Sequence, residues 1–245
     1  MIYNHAKRVN PRVSVISSIY KASDFLFDFL LDVKRQLIFP ESEVLLLDAN
    51  PEGYNEDYET IKPFLNLHPF KYYRIGECNV YEAWNKGVKL SSSNILTNWN
   101  VDDRRSVTSL KEQVLFLENN LDSDVCYGHV KMTSKPNEVF EYSKSNETWT
   151  CLDGSIENQL INNSPHCLPV WRKSIHDRFG LFDTSYFSSG DYDMWFRVLI
   201  GGGKLSKMDI ITGLYYENPN SISRKQETYK KACNEVAQIR RKYSV

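Results

Sequence analysis

The sequence predicts an α/β protein: a Rossmann-like, mostly parallel central sheet with helices on both faces and a small antiparallel portion. Three observations predict it. Short apolar runs alternate with helix-period patterns through the first hundred residues, which argues parallel strands joined by helices. The run in Asn94 to Arg105, NILTNWNVDDRR, ends on adjacent carboxylates, Asp102 and Asp103, just before a new helical pattern. That places them at the carboxyl end of a strand, the edge where open α/β sheets bind ligands. Finally, 245 residues with 41% hydrophobic content suffice for one large core.

Arg12 to Ile19 is the first strand, β-branched and apolar. Ser23 or Asp24 is placed to cap a helix whose apolar face includes Phe25, Leu26, Phe29, Leu30 and Val33. Glu43 to Asp48 is a second strand, followed by a turn and a helix with Tyr58, Ile61, Phe64 and Leu65. Phe70 to Ile75 is a third strand, and Asn79 to Leu90 is a helix with Tyr81, Ala83, Trp84 and Val88. The strand before Asp102 follows, then a helix from near Val107 to Asn119.

After it the pattern changes. Asp124 to Lys131 and Glu138 to Tyr142 read as strands, and Ser143 to Ser164 as a long polar loop of the binding or lid kind. Leu168 to Trp171 is a short strand and Lys173 to Phe179 a short helix stopped by Gly180. A helix with Met194, Trp195, Val198 and Leu199 precedes a last strand, Met208 to Tyr216. From about Ser223 a narrow apolar stripe predicts a terminal helix.

Thirty basic against 31 acidic residues give a net charge of -1, so nothing suggests a general polyanion binder and any basic patch would have to be local. Five scattered cysteines form no CxxC and read as reduced thiols of a cytosolic chain. The first ten residues lack the apolar core of a signal peptide. No GxGxxG occurs, against a Rossmann dehydrogenase, and Ser17 to Ser23 has no glycine, against a nucleotidyltransferase phosphate loop.

Four blocks in order resemble the inverting glycosyltransferases of family 2, of GT-A fold. VSVISSIY at Val13 to Tyr20 and EVLLLDAN at Glu43 to Asn50 resemble the opening strands. EAWNKGVKLSSSNILTNWNVDD, Glu82 to Asp103, resembles the helix and strand that lead to the Asp-x-Asp motif. VWRKSIHDRFGLFDTSYF, Val170 to Phe187, resembles the acceptor-side block, and GDYDMWFRV, Gly190 to Val198, the helix that carries the catalytic base.

The resemblance implies a single GT-A domain over 1–245. Its nucleotide-sugar half is about 12–103, its acceptor and catalytic half about 104–222, and its terminal helix about 223–245. It implies transfer from a nucleotide-diphosphate sugar to a glycan or glycolipid hydroxyl, of hexosyl or deoxyhexosyl type, with Mn²⁺ or Mg²⁺ on the diphosphate. Asp191 aligns with the base. Its place at a helix start should lower its pKa. Ser17, Tyr20, Asp48 and Asn50 fall on the donor side, together with Asn85, Asn100 and Asp102. Asp102 and Asn218 fall on the metal. Tyr186 and Trp195 fall on the acceptor side, with Trp195 read as core in preference to sugar platform. Arg197 is placed either to pair with Asp193 or to reach a phosphate.

The chain departs from the family pattern at Ala49, Asn100, Gly190 and Asn218, where acidic residues or a histidine are usual, and at Trp84 in place of arginine. These departures motivate an alternative: a degenerate member that binds nucleotide sugar or glycan without turnover. Partners are thus a sugar donor and a saccharide or glycolipid acceptor, with no nucleic acid. The setting is cytoplasmic, with peripheral membrane association or a longer multidomain protein left open.

Overall fold

The computed structural model describes residues 10–244. The reading of the N-terminus as lacking a signal peptide falls largely on residues 1–9, outside the described residues. In chain order the elements are β1 Val13–Ile19, α1 Ser23–Arg35, β2 Ser42–Asp48, α2 Glu56–Ile61, β3 Phe70–Arg74, α3 Val80–Leu90 and β4 Ile95–Asn98. The short β5 Arg104–Arg105, α4 Ser109–Asn119, β6 Val125–Thr133, β7 Thr148–Trp149 and α5 Ile156–Ile161 follow. Last come β8 Val170–Arg172, α6 Ile175–Phe179, α7 Gly190–Ile200, β9 Leu205–Tyr216 and α8 Gln226–Tyr243.

One sheet runs through the molecule in the order β3-β2-β1-β4-β8-β6-β9-β5, with β7 beside β6. Strands β1 to β4 are parallel, with Ile19 opposite Asp48 and Ile16 opposite Asn98. Their carboxyl ends therefore share one edge. Beyond β4 the pairing is mixed: β8 is antiparallel to β4 and β6, and β9 is parallel to β6. This is the predicted parallel half and its smaller antiparallel continuation.

Alternation along the strands separates two cores. Val13, Val15 and Ile19 of β1 pack on Leu26, Phe29 and Leu30 of α1 and Val114 and Leu117 of α4. Ile16, one residue out of phase, packs on the opposite face with Trp84 and Val88 of α3 and Met194, Trp195 and Val198 of α7. A period of two places consecutive side chains on opposite faces, so each strand feeds both layers.

Three expectations are corrected. Glu138 to Tyr142 is not a strand but contains a single 3₁₀ turn, Phe140–Tyr142. Ser143 to Ser164 is not structureless: it holds β7 and α5, and Ser155 caps α5 by accepting from the Asn158 amide at 3.1 Å. Neither Ser23 nor Asp24 caps α1. Ala22 precedes the helix, and its amide donates to both carboxylate oxygens of Asp57 at 3.1 and 3.0 Å. A remote carboxylate thus serves the helix N-terminus, which residue order around α1 does not reveal.

Gly213 faces Arg105 where β9 meets β5. A Cβ there would collide with the Arg104 carbonyl oxygen and the Arg105 backbone. Gly213→Ala is expected to lower the urea midpoint by about 1–3 kcal/mol of stability, because a rigid backbone contact must move apart. A midpoint equal to wild type would show that the β5–β9 pair tolerates separation.

Candidate active site

The shared edge of β1 to β4 gathers the donor-side residues. Ser17 is buried and its hydroxyl has no hydrogen-bond partner. Tyr20 is exposed, its hydroxyl 3.4 Å from Glu77. Asp48 is fully buried. It accepts from the Asn50 amide at 2.9 Å, the Tyr72 hydroxyl and the Arg74 guanidinium at 3.0 Å. The Asn50 side chain accepts from the Lys21 amide at 2.7 Å and donates to Asp57 at 2.8 Å. Asp48 and Asn50 therefore brace the first two loops. Beside Asn50 lies an open cavity of about 840 Å³ whose walls include Tyr58, Tyr72, Arg74 and Gly76. Neither Asp102 nor Asp191 lines it.

Asn85 faces elsewhere. Its amide nitrogen donates to the Phe182 carbonyl at 2.8 Å and its oxygen accepts from the Phe182 amide at 3.0 Å. Both ends of this buried side chain tie α3 to the segment before α7, so it offers no free group to a donor.

The turn after β4 is held from beneath. The Trp99 indole donates to the Asp103 carbonyl at 3.1 Å, and Arg104 donates to the Val101 and Asp103 carbonyls at 2.8 and 2.7 Å. Asp103 is buried. Its carboxylate accepts from the Tyr216 amide at 3.2 Å and lies 3.4 Å from the Asn100 amide nitrogen. Burial, reinforced by the neighbouring Asp102 charge, pushes the Asp103 carboxyl well above the usual range. Burial also raises Asp102, against a 3.1 Å hydrogen bond from the Asn218 amide nitrogen.

The end of β9 thus brings Asn218 to Asp102, as the sequence predicts, but with the wrong group for a metal ligand. The Asn218 oxygen accepts from the Asn220 amide at 2.9 Å, which fixes the NH₂ toward Asp102. Flipping the amide would set two donors against each other at Asn220. Among the described residues no three His, Cys, Asp or Glu side chains cluster as a metal site. Asp102 alone fits the role. Mg²⁺ commonly takes one or two carboxylates and draws its other ligands from water and substrate phosphates.

Asp191 lies in the first turn of α7. The Tyr81 hydroxyl of α3 donates to one carboxylate oxygen at 3.2 Å, and the Asn163 amide that follows α5 donates to the other at 2.7 Å. Gly190 permits this approach, because a Cβ there would lie 3.0 Å from the Tyr81 ring and from the Asp183 carbonyl. The expected lowering of the Asp191 pKa is corrected. Burial raises it, and the hydrogen bonds from Asn163, the Tyr192 amide and Tyr81 offset only part. Three residues on from Asn163, the His166 ring packs edge to face on Tyr215, with centroids 4.7 Å apart. Tyr215 precedes the Tyr216 amide that binds Asp103. The chain between Asn163 and His166 spans at most about 10 Å, so the segment that holds Asp191 continues into one that packs on the end of β9.

Trp195 is not an acceptor surface. It is fully buried and packs at 5.8 Å on Trp171 and 6.3 Å on Phe182. Tyr186 is half-buried between the second core and α8. Arg197 pairs with Asp193 at 2.8 Å and donates to the Phe179 and Leu181 carbonyls, so the ion-pair alternative holds. Sequence reading missed Tyr81 and Asn163. Tyr81 was an apolar-face residue of a helix, and Asn163 lay in an aperiodic polar stretch.

Residues 14–179, more than half of the chain, match the sequence profile described as "Glycosyl transferase family 2". No curated protein sequence matches the chain. Among solved structures, S. aureus TarS 1-349 superposes with TM-score 0.68 at 17% identity, over 93% of this chain and 64% of that one. The same protein with UDP-GlcNAc gives 0.70 at 16%, over 93% and 66%. The mannosyltransferase PcManGT from Pyrobaculum calidifontis, bound to GDP-Man and Mn2+, gives 0.67 at 12%, over 94% and 65%. The chain thus spans just under two thirds of the length of these neighbours.

A raised Asp191 pKa means that the native state holds this proton more tightly than the unfolded chain. Its stabilising contribution is complete below the ordinary carboxylate pKa and is lost as pH rises through the folded value. Tyr81→Phe and Asn163→Ala each remove a donor to the ionised form. Carboxyl ¹³C NMR should therefore show Asp191 titrating higher in both variants than in wild type. Titration at a lower pH would mean that these donors do not hold the charge.

Proposed function

Because the chain belongs to glycosyltransferase family 2, we propose that it transfers a sugar from a nucleotide-diphosphate sugar to a hydroxyl of a glycan or glycolipid acceptor, with inversion. The observation that carries this reading is Asp191, a carboxylate with raised pKa held by Tyr81 and Asn163 in the first turn of α7. Inversion by direct displacement needs one base. The acceptor oxygen bonds to the anomeric carbon as the diphosphate oxygen leaves, and the hydroxyl proton passes to Asp191. A carboxylate shifted upward by burial is a better proton acceptor than a solvated one.

A divalent Mn²⁺ or Mg²⁺, when bound, would neutralise charge on the diphosphate, and Asp102 is the side chain that would hold it. The exposed Tyr20 ring and the cavity beside Asn50 support a donor base at the edge of β1 to β3. TarS binds UDP-GlcNAc and PcManGT binds GDP-Man, so UDP and GDP sugars are the first donors to try. Free cysteines throughout support a cytoplasmic setting. No helix among the described residues is long and apolar enough to cross a membrane.

The Asn218 amide on Asp102 favours a second reading, donor binding without turnover. One experiment separates the two. Calorimetry with UDP, GDP, dTDP and CDP, with and without Mn²⁺, identifies the nucleotide, and release of that nucleotide from its sugar conjugate reports turnover. We expect metal to bind measurably only with nucleotide present, and Asp102→Ala to lose the metal response. Asp191→Asn should reduce turnover by about a thousandfold or more, the scale of an essential acid–base group, with nucleotide affinity unchanged. Nucleotide binding with no turnover by the wild type would establish the second reading.

A further inference from the structure

The last helix, α8, bears on both sides of Asp191. Upstream, the buried Glu235 carboxylate accepts from the Phe187 amide at 2.6 Å, the Ser188 amide at 2.8 Å and the Ser188 hydroxyl at 3.2 Å. All three donors belong to the loop that enters α7. Downstream, Lys242 and the Tyr243 hydroxyl each reach the buried Asp193 carboxylate at 2.8 Å. The Tyr243 ring stacks on Phe196 at 4.7 Å. Arg240 donates to the Tyr192 hydroxyl at 3.3 Å and to the Ile161 carbonyl, two residues before the Asn163 that holds Asp191.

Burying a carboxylate costs free energy unless hydrogen bonds compensate it. Glu235 satisfies this by joining two successive backbone amides, which also removes the main-chain freedom of Phe187 and Ser188. Three residues separate Phe187 from Asp191, so displacement of the loop displaces the base. We infer that Glu235 is a positioning residue: α8 sets the loop Tyr186 to Ser189, and through it Asp191, in the geometry that proton removal needs. The inference rests on Asp191 being the base. It assigns to α8, which lies outside the family match at residues 14–179, a part in turnover that donor binding does not need.

The test uses the full chain and compares wild type, Glu235→Gln, Ser188→Ala and Asp191→Asn. A glutamine keeps the volume but sets an NH₂ group against one loop amide. Hydrogen exchange at Phe187 and Ser188 should quicken in Glu235→Gln. Nucleotide release per binding-competent molecule should fall about 10- to 100-fold, as misplacement of a reacting group by about 1 Å does. The Michaelis constant for the donor and the calorimetric affinity for UDP or GDP should stay at wild-type values. A structural role alone would lower the competent fraction and leave turnover per competent molecule unchanged. Should Glu235→Gln fail to fold, Ser188→Ala removes only the hydroxyl contact and should move turnover the same way, less far. Wild-type turnover in the loop variants with Asp191→Asn inactive overturns this inference and leaves the base assignment standing. Wild-type turnover in Asp191→Asn overturns both.

Discussion

Two adjacent buried guanidinium groups carry the turn on which the donor side depends. Arg104 binds the carbonyls of Val101 and Asp103 from inside the turn and reaches Asn137 and the Phe25 carbonyl on the other side. Arg105 runs the opposite way, into the first core, where it meets Gln113, Thr97 and the Leu168 carbonyl and lies 5.2 Å from the Trp99 ring. Its backbone amide donates to the buried Asp32 at 2.9 Å. Burial pulls the Arg105 pKa down to about 10, yet it stays charged at neutral pH. Removing it would leave several polar groups unpaired in a dry core, at about 1–3 kcal/mol each. The turn that carries the carboxylates is thus braced from within by Arg104, while Arg105 ties the strand that follows it to the core.

Asp191, the proposed base, follows a different rule. Among the described residues nothing cationic is hydrogen-bonded to it. Its neighbours are a phenol and an amide, and burial raises its pKa. Two residues on, Asp193 shows the contrast. Burial pushes it upward as well, but Lys242, Arg197 and Tyr243 outweigh burial and leave it lowered. One turn of helix thus holds a carboxylate made basic by burial, with only neutral donors to offset it, and another held charged by cations. Spread pKa values on neighbouring carboxylates are how a site divides a reactive role from a structural one.

Much of this was legible in the sequence, and the exceptions share a cause. The strands and long helices declared themselves through their periods, and the Asp102 turn through the end of an apolar run. Residues bound by long-range contacts did not. Asp57 serves α1 from 35 residues away, Tyr81 reaches Asp191 across 110, and Glu235 holds a loop 48 residues upstream. Periodicity reports the face a residue occupies, not the polar atom at the end of its side chain. Tyr81 was therefore assigned correctly to the core while its hydroxyl went unread. Asn85 differs the other way: alignment with a motif suggested contact with the donor, but the fold uses both ends of its amide internally, while Trp195 lies in the core as its helical spacing favoured.

The charge at the Asp102 turn bears on how much cation a donor needs there. Asp103 is pushed well above the ordinary carboxylate range by burial and by Asp102, so the pair resists carrying two negative charges. Arg104 lies against the same turn, with its pKa lowered by burial. On the proposed reading, an arriving diphosphate would meet a turn that resists a second negative charge, unlike two exposed aspartates. The Asn218 NH₂ group adds a donor on that side. With one carboxylate to offer, the protein would gain a cation, on the proposed reading, chiefly as the diphosphate supplies its remaining ligands, which would couple metal binding to donor binding. Loss of acidic groups at Asn100 and Ala49 lightens the same charge and is consistent with a site that binds its cation late rather than one that has lost its chemistry.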